Sequence, residues 1–119
     1  MTVDLISKWR IKILQNQQFN FRLENYTHIK EFYNKECGDK CEVFLDIEGN
    51  IIKKISYSLH GCGIQTAALE LVCEHVLDNS IENVQEIQKE IQKLEIEKNR
   101  KHCLIFVEEI CDWIIECIE

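Results

Sequence analysis

Three short motifs hold the side chains of this chain best suited to chemistry: Cys37-Gly38-Asp39, Gly61-Cys62-Gly63 and His102-Cys103. Together they offer three thiols, one carboxylate and one imidazole. Soft sulfur with one harder oxygen and one nitrogen suits a site that holds iron or zinc and can also release it. In the first motif, glycine lets the backbone turn tightly, so that Cys37 and Asp39 can face one centre. In the second, Cys62 falls between a strand pattern and a helix pattern, near a helix N-terminus whose amides and dipole favour a thiolate. In the third, Cys103 gains the same advantage, with Lys98, Arg100 and Lys101 adding positive charge. Adjacent helical residues point about 100° apart, so only one of His102 and Cys103 need be a ligand at a time.

Taken singly, each motif has a plain structural reading. Asp39 could satisfy the donors of a turn, Cys62 could be buried in a strand-to-helix connection, His102 could be a surface or capping residue, and Cys103 could belong to the core. Their order along the chain says more. A hairpin pattern separates Cys37 from Cys62, and a helical pair separates Cys62 from Cys103. A hairpin brings its ends together, so the loops before and after it can converge.

The positioning elements follow from hydrophobic period. An amphipathic helix is expected over 3–18, on Leu5, Ile6, Trp9, Ile13 and Leu14. The stretch 20–36, with Tyr26, Ile29, Phe32 and Tyr33, fits either a strand or a short helix. Cys41, Val43, Leu45 and Ile47 alternate with Glu42, Phe44 and Asp46, which is a strand signature. Glu48-Gly49-Asn50 supplies a turn, and Ile51–Leu59 a second strand with Ile55, Tyr57 and Leu59 on one face. Leu69, Val72, Cys73 and Val76 then form the stripe of a helix ending near Asp78-Asn79. Ser80 is the expected N-cap of the next helix, which carries Ile81, Val84, Ile87, Ile91 and Leu94. After a charged stretch at 95–101, a last helix begins near His102, with apolar residues over more than half its circumference. The expected fold class is α+β: a small antiparallel sheet of about three strands, packed on one face by helices.

The 119 residues fit one domain, and 45% hydrophobic content supports a small core. A net charge of −7 argues against nucleic acid or an anionic membrane surface as partner. No signal peptide is visible, and no apolar run approaches the roughly 18 residues of a membrane span, so a cytoplasmic location (or an organelle matrix) is expected. Seven cysteines, an odd number, do not suggest a disulfide framework. Cys73, Cys111 and Cys117 fall on or beside apolar helical faces and are expected in the core. Cys41 is also expected to be buried, and is the one spare thiol near the site that could serve as an alternative ligand.

The motifs resemble those of the IscU/NifU-type iron–sulfur cluster scaffold family. Asn34-Lys35-Glu36-Cys37-Gly38-Asp39 resembles the family's N-P-x-C-G-D, Gly61-Cys62-Gly63 its G-C-G or G-C-A turn before a helix, and His102-Cys103 its H-C pair at the last helix. The resemblance covers about residues 30–119. It implies a ligand set of Cys37, Asp39, Cys62, His102 and Cys103, with Asp39 or His102 as the fourth ligand at different stages. It implies a carrier, not an enzyme in the turnover sense. Such a carrier accepts sulfur from a cysteine desulfurase, binds iron, builds a labile [2Fe–2S] cluster and passes it to acceptor proteins. The cluster-free site would hold Fe(II) or Zn(II). Cys103 is the expected persulfide acceptor.

The sequence also departs from the family pattern. Lys35 stands where proline is usual, and Ala67 and Ala68 occupy a region commonly rich in serine. Glu97-Lys98-Asn99-Arg100-Lys101 replaces the family's L-P-P-V-K chaperone motif, so docking to the dedicated heat-shock chaperone is not expected. Two alternatives use the same residues: a zinc-bound, SufU-like sulfur acceptor, and a diverged structural zinc module. His102 and the short second gap fit the IscU-like branch better.

Overall fold

The structure is a computed structural model that describes residues 17–35, 38–59, 63–93 and 101–118, with Asp39 and Lys101 described by backbone alone. The helix expected over 3–18 lies outside the described residues except for Gln17 and Gln18, which are not helical. Three strands follow, β1 (His28–Asn34), β2 (Asp39–Glu48) and β3 (Ile51–Leu59), and then three helices, α1 (Gly63–Val76), α2 (Ile81–Gln92) and α3 (Lys101–Ile118). The ambiguous stretch at 20–36 thus resolves into an irregular segment and a strand. The strands form one antiparallel sheet in the order β1-β2-β3. Among the described residues, no helix is long and apolar enough to cross a membrane.

The β2–β3 turn is Gly49-Asn50, with Gly49 at φ +61° and Glu48 opposite Ile51. Positive φ at the first of two turn residues matches the right-handed twist of the strands it joins. The alternation read from the sequence holds on β2, where Cys41, Val43 and Leu45 are buried on the helix-covered face. On β3 it is broken by a bulge between Asp46 and Ile47, which lets both Ile52 and Ile55 reach the core.

The opposite face of the sheet is also partly covered. Phe44, on the side of β2 away from the helices, is 1% exposed. Tyr26 packs edge-on against its ring at 5.5 Å, and the Arg22 guanidinium lies 5.2 Å from the ring centroid. Arg22 also pairs with Glu42 on the same strand.

Helix α1 is buried over most of its circumference, from Ile64 through Cys73 and at Val76, which is wider than the stripe expected from its sequence. Asp78, at φ +63°, takes the chain out of the helix in the left-handed region. Its N–H donates to the Ile52 carbonyl (2.7 Å), and Ile52 N–H donates to the Asn79 carbonyl (3.1 Å). The end of α1 is thereby tied to the start of β3. Ser80 occupies the N-cap of α2, yet its hydroxyl bonds the Glu82 carboxylate and makes no cap bond to the backbone. On α3, Leu104, Phe106, Val107, Ile110, Cys111, Ile114 and Ile118 are buried, joining the sheet, α1 and α2 in one core.

Candidate metal centre

Register decides which chain ends meet. Asn34 pairs with Asp39 at the closed end of the β1–β2 hairpin, and Cys41 stands opposite both Phe32 and Leu59. The end of β1, the start of β2 and the end of β3 therefore lie at one end of the sheet. Cys37 falls within the β1–β2 turn by sequence, and Cys62 falls between the last residue of β3 and the first of α1. Both cysteines lie outside the described residues. The flanks of both segments are nevertheless neighbours.

The turn itself needs glycine. Gly38 sits at φ +73°, and its N–H donates to the Asn34 carbonyl at 2.7 Å. A side chain at that φ is strained whatever the space around it. The glycine therefore sets the backbone between Cys37 and Asp39, as the motif requires.

The third motif reaches the same end of the molecule through α3. Phe32 on β1 meets Phe106 edge-on at 6.4 Å and Trp113 at 5.6 Å, which braces β1 against α3. An open groove of about 360 Å³ results, lined by Tyr33, Asn34 and Lys35 from the hairpin and by His102, Ile105, Phe106 and Glu109 from α3. Tyr33 and Ile105 are exposed at its rim.

His102 and Cys103 are the second and third residues of α3. His102 is half-buried, and Cys103 is 3% exposed. Despite their adjacent positions, the His102 Nε2 and Cys103 Sγ atoms lie 3.5 Å apart. A tetrahedral zinc ion, with Zn–S about 2.3 Å and Zn–N about 2.0 Å, would hold its sulfur and nitrogen ligands about 3.5 Å apart. The two side chains can thus serve one metal together, which their spacing on a helical wheel does not suggest.

Of the five expected ligands, His102 and Cys103 have described side chains, and these are close together. Cys37 and Cys62 lie outside the described residues, and Asp39 is described by backbone alone. Among the described residues, no three His, Cys, Asp or Glu side chains form a metal-holding group.

The other described thiols are buried or half-buried. Cys41, Cys73 and Cys111 are buried. Burial, with the Glu42 carboxylate beside it, pushes the Cys41 thiol up to about 12. Burial, with Asp112 and Glu108 nearby, does the same for Cys111. Burial pushes Cys73 up as well, with Glu70 adding to the effect. Cys41 lies on the core face of β2, as its alternation in the sequence leads one to expect. Cys117 is half-buried, somewhat less enclosed than its sequence position suggests.

Sequence reasoning missed Asn20, Tyr57 and Glu70 as a polar group. Glu70 is 1% exposed and accepts three hydrogen bonds, from Gln18 N–H (2.8 Å), Phe19 N–H (2.9 Å) and the Tyr57 hydroxyl (2.7 Å). One signal was visible: a glutamate in the apolar run Ala67-Ala68-Leu69-Glu70-Leu71-Val72. A carboxylate in such a run needs partners from elsewhere in the fold.

Residues 13–115 match the family model described as NifU-like N terminal domain. The chain belongs to this family. A curated relative of the NifU-like domain is the iron–sulfur cluster assembly scaffold protein IscU of Thermotoga maritima, 27% identical over 79 residues. The match takes in 66% of this chain and 56% of that relative, so the chain spans little more than half its length. The NifU-like fold is shared with the N-terminal part of a nitrogen-fixing NifU-like protein from Brucella abortus (TM-score 0.63, 13% identity, 98% of this chain and 85% of that one). It is also shared with a SUF-system protein from Fervidobacterium islandicum AW-1, assigned as a candidate iron–sulfur cluster assembly scaffold (TM-score 0.61, 17% identity, 97% and 89%).

Proposed function

We propose that this NifU-like domain is an iron–sulfur cluster assembly scaffold, a carrier that gathers iron and sulfur at one end of its sheet and passes the cluster on. One observation carries the reading. The His102 Nε2 and Cys103 Sγ pair, 3.5 Å apart, lies at the end of the sheet where the flanks of the Cys37 and Cys62 segments meet. Family membership and the IscU relative support it.

In this reading Cys37, Asp39, Cys62, His102 and Cys103 hold the cargo, a labile [2Fe–2S] cluster, and the cluster-free site takes Fe(II) or Zn(II). The thiolates suit iron and bridging sulfide. Asp39, a weaker oxygen ligand, eases release. Sulfur arrives from a cysteine desulfurase: the Cys103 thiolate attacks the outer sulfur of the donor's persulfide, that S–S bond breaks, and the donor leaves as a thiolate. Acceptor proteins receive the finished cluster.

The test is anaerobic reconstitution of chelator-treated protein with ferrous iron, cysteine and a cysteine desulfurase, read by Mössbauer spectroscopy. The expected result is a [2Fe–2S] signal that Cys37→Ser, Cys62→Ser and Cys103→Ser each abolish and that Asp39→Ala makes longer-lived. Faster cluster loss in Asp39→Ala would remove the release role of that carboxylate. A second reading, a zinc-bound sulfur acceptor, draws on the same S···N separation, which suits tetrahedral zinc. Retained zinc, no cluster and a persulfide on one cysteine would favour it.

A further inference from the structure

Residues 17–20 lie along the outer edge of β3 and are fastened there at two points. The first is Glu70 on α1, whose Oε1 accepts the Gln18 N–H and whose Oε2 accepts the Phe19 N–H and the Tyr57 hydroxyl. The second is the Asn20 side chain. Its Oδ1 accepts the Leu59 N–H at 3.0 Å, and its Nδ2 donates to the Leu59 carbonyl at 3.0 Å. The remaining Nδ2 hydrogen goes to the Gln17 side chain. Between the two points, Tyr57 N–H donates to the Phe19 carbonyl at 2.9 Å, and Asn20 forms a parallel bridge with Tyr57.

These contacts have a consequence for the end of β3. Leu59 is the last residue of that strand and is 3% exposed. Both of its backbone polar groups point outward to Asn20, away from β2, so the sheet does not satisfy them. Without Asn20 they would be left unpaired in a buried setting, and the strand end would loosen. Glu70 meanwhile joins the same segment to α1, less than two turns from Gly63. The two fastenings therefore fix both chain ends that flank the segment carrying Cys62.

We propose that Asn20 and Glu70 are positioning residues for the metal centre: by fastening residues 17–20 to Leu59 and α1, they couple attachment of that segment to metal binding. The proposal rests on the cluster-scaffold reading above, in which Cys62 is a ligand. Neither residue touches the metal. Coupling is reciprocal, so metal binding strengthens the attachment by the factor by which attachment strengthens metal binding.

The variants follow from donor and acceptor inventory. Asn20→Ala removes both bonds to Leu59. Asn20→Asp keeps an acceptor for the N–H but sets a carboxylate oxygen against the Leu59 carbonyl. Glu70→Gln keeps the size but has one acceptor oxygen for three donors.

The test uses the full chain and zinc alone as probe. Zinc affinity is measured by competition with a chromophoric chelator, the ligand set by the thiolate charge-transfer bands of the cobalt form, and the attachment by hydrogen exchange of the Gln18, Phe19 and Leu59 amides with and without zinc. Expected is a loss of zinc affinity of tenfold or more in Asn20→Ala and Glu70→Gln, with weaker thiolate bands and native exchange in the core. In the unaltered chain, zinc should slow exchange at those three amides by a similar factor. Unchanged affinity in folded variants whose three amides exchange faster would overturn the coupling while leaving the metal centre standing. If the variants do not fold, exchange in the unaltered chain that is the same with and without zinc overturns it. A chain that binds no zinc through its thiolates overturns the metal-centre reading, and the coupling with it.

Discussion

At the scale of single residues, Gly38 and the His102–Cys103 pair are the best-described parts of the proposed metal centre. Gly38 is held at φ +73°, and a Cβ built there meets nothing within 4 Å. The cost of a side chain is therefore conformational and not a clash. Gly38→Ala should destabilise the domain by about 1–2 kcal/mol, measured by urea unfolding, and Gly38→Asn by less, because asparagine tolerates the left-handed region. Equal stability of the alanine variant would mean that the turn relaxes to another conformation. The glycine was legible in the sequence as a turn residue between two chemically active ones. The 3.5 Å approach of His102 to Cys103 was not. Neighbours on a helix diverge by rule, and their approach depends on rotamers that sequence spacing does not specify.

At the scale of elements, the proposed metal centre depends on how α3 sits against β1. The contact is made by Phe32 against Phe106 and Trp113, all ring edge to ring face. Phe32→Ala should cost about 3–5 kcal/mol in chemical denaturation. It should also widen the groove between the hairpin and α3, and so weaken zinc binding more than a core truncation of similar stability cost far from the groove, such as Ile87→Ala at about 2–5 kcal/mol. Equal effects on zinc from the two would show that stability, not placement, controls the site. The hairpin of β2 and β3 was readable because Gly49-Asn50 lies between two alternating runs. The bulge between Asp46 and Ile47 was not, since it arises from fitting both Ile52 and Ile55 into one core. The N-cap position of Ser80 was legible, but its hydroxyl turned to Glu82, a neighbour that competes for the same group.

At the scale of the whole molecule, one core joins the helix-covered face of the sheet to the three described helices, and its buried thiols make stability depend on alkaline pH. Cys41 and Cys111 have folded values near 12 against an ordinary value of 9.0. Below about pH 9 both states keep these protons, and the thiols add no pH dependence. Between about 9 and 12 the unfolded chain loses them while the folded one retains them, so stability falls by roughly 1.4 kcal/mol per pH unit for each thiol. Urea unfolding at stepped pH should show this decline, and Cys111→Ala should flatten it by one thiol's share. The sequence by itself determined the order of the motifs, the strand and helix periods, the α+β class and the likeness to a cluster-scaffold family. These are local properties, set by residue type and spacing within a few turns of chain. Tertiary structure decided which chain ends meet, that His102 and Cys103 approach each other, and that Glu70 and Asn20 fasten a distant segment to β3 and α1. Those contacts join residues as far as 52 positions apart, and no local period encodes them. They exist because a buried carboxylate and a buried strand end must find hydrogen-bond partners wherever the packed chain supplies them.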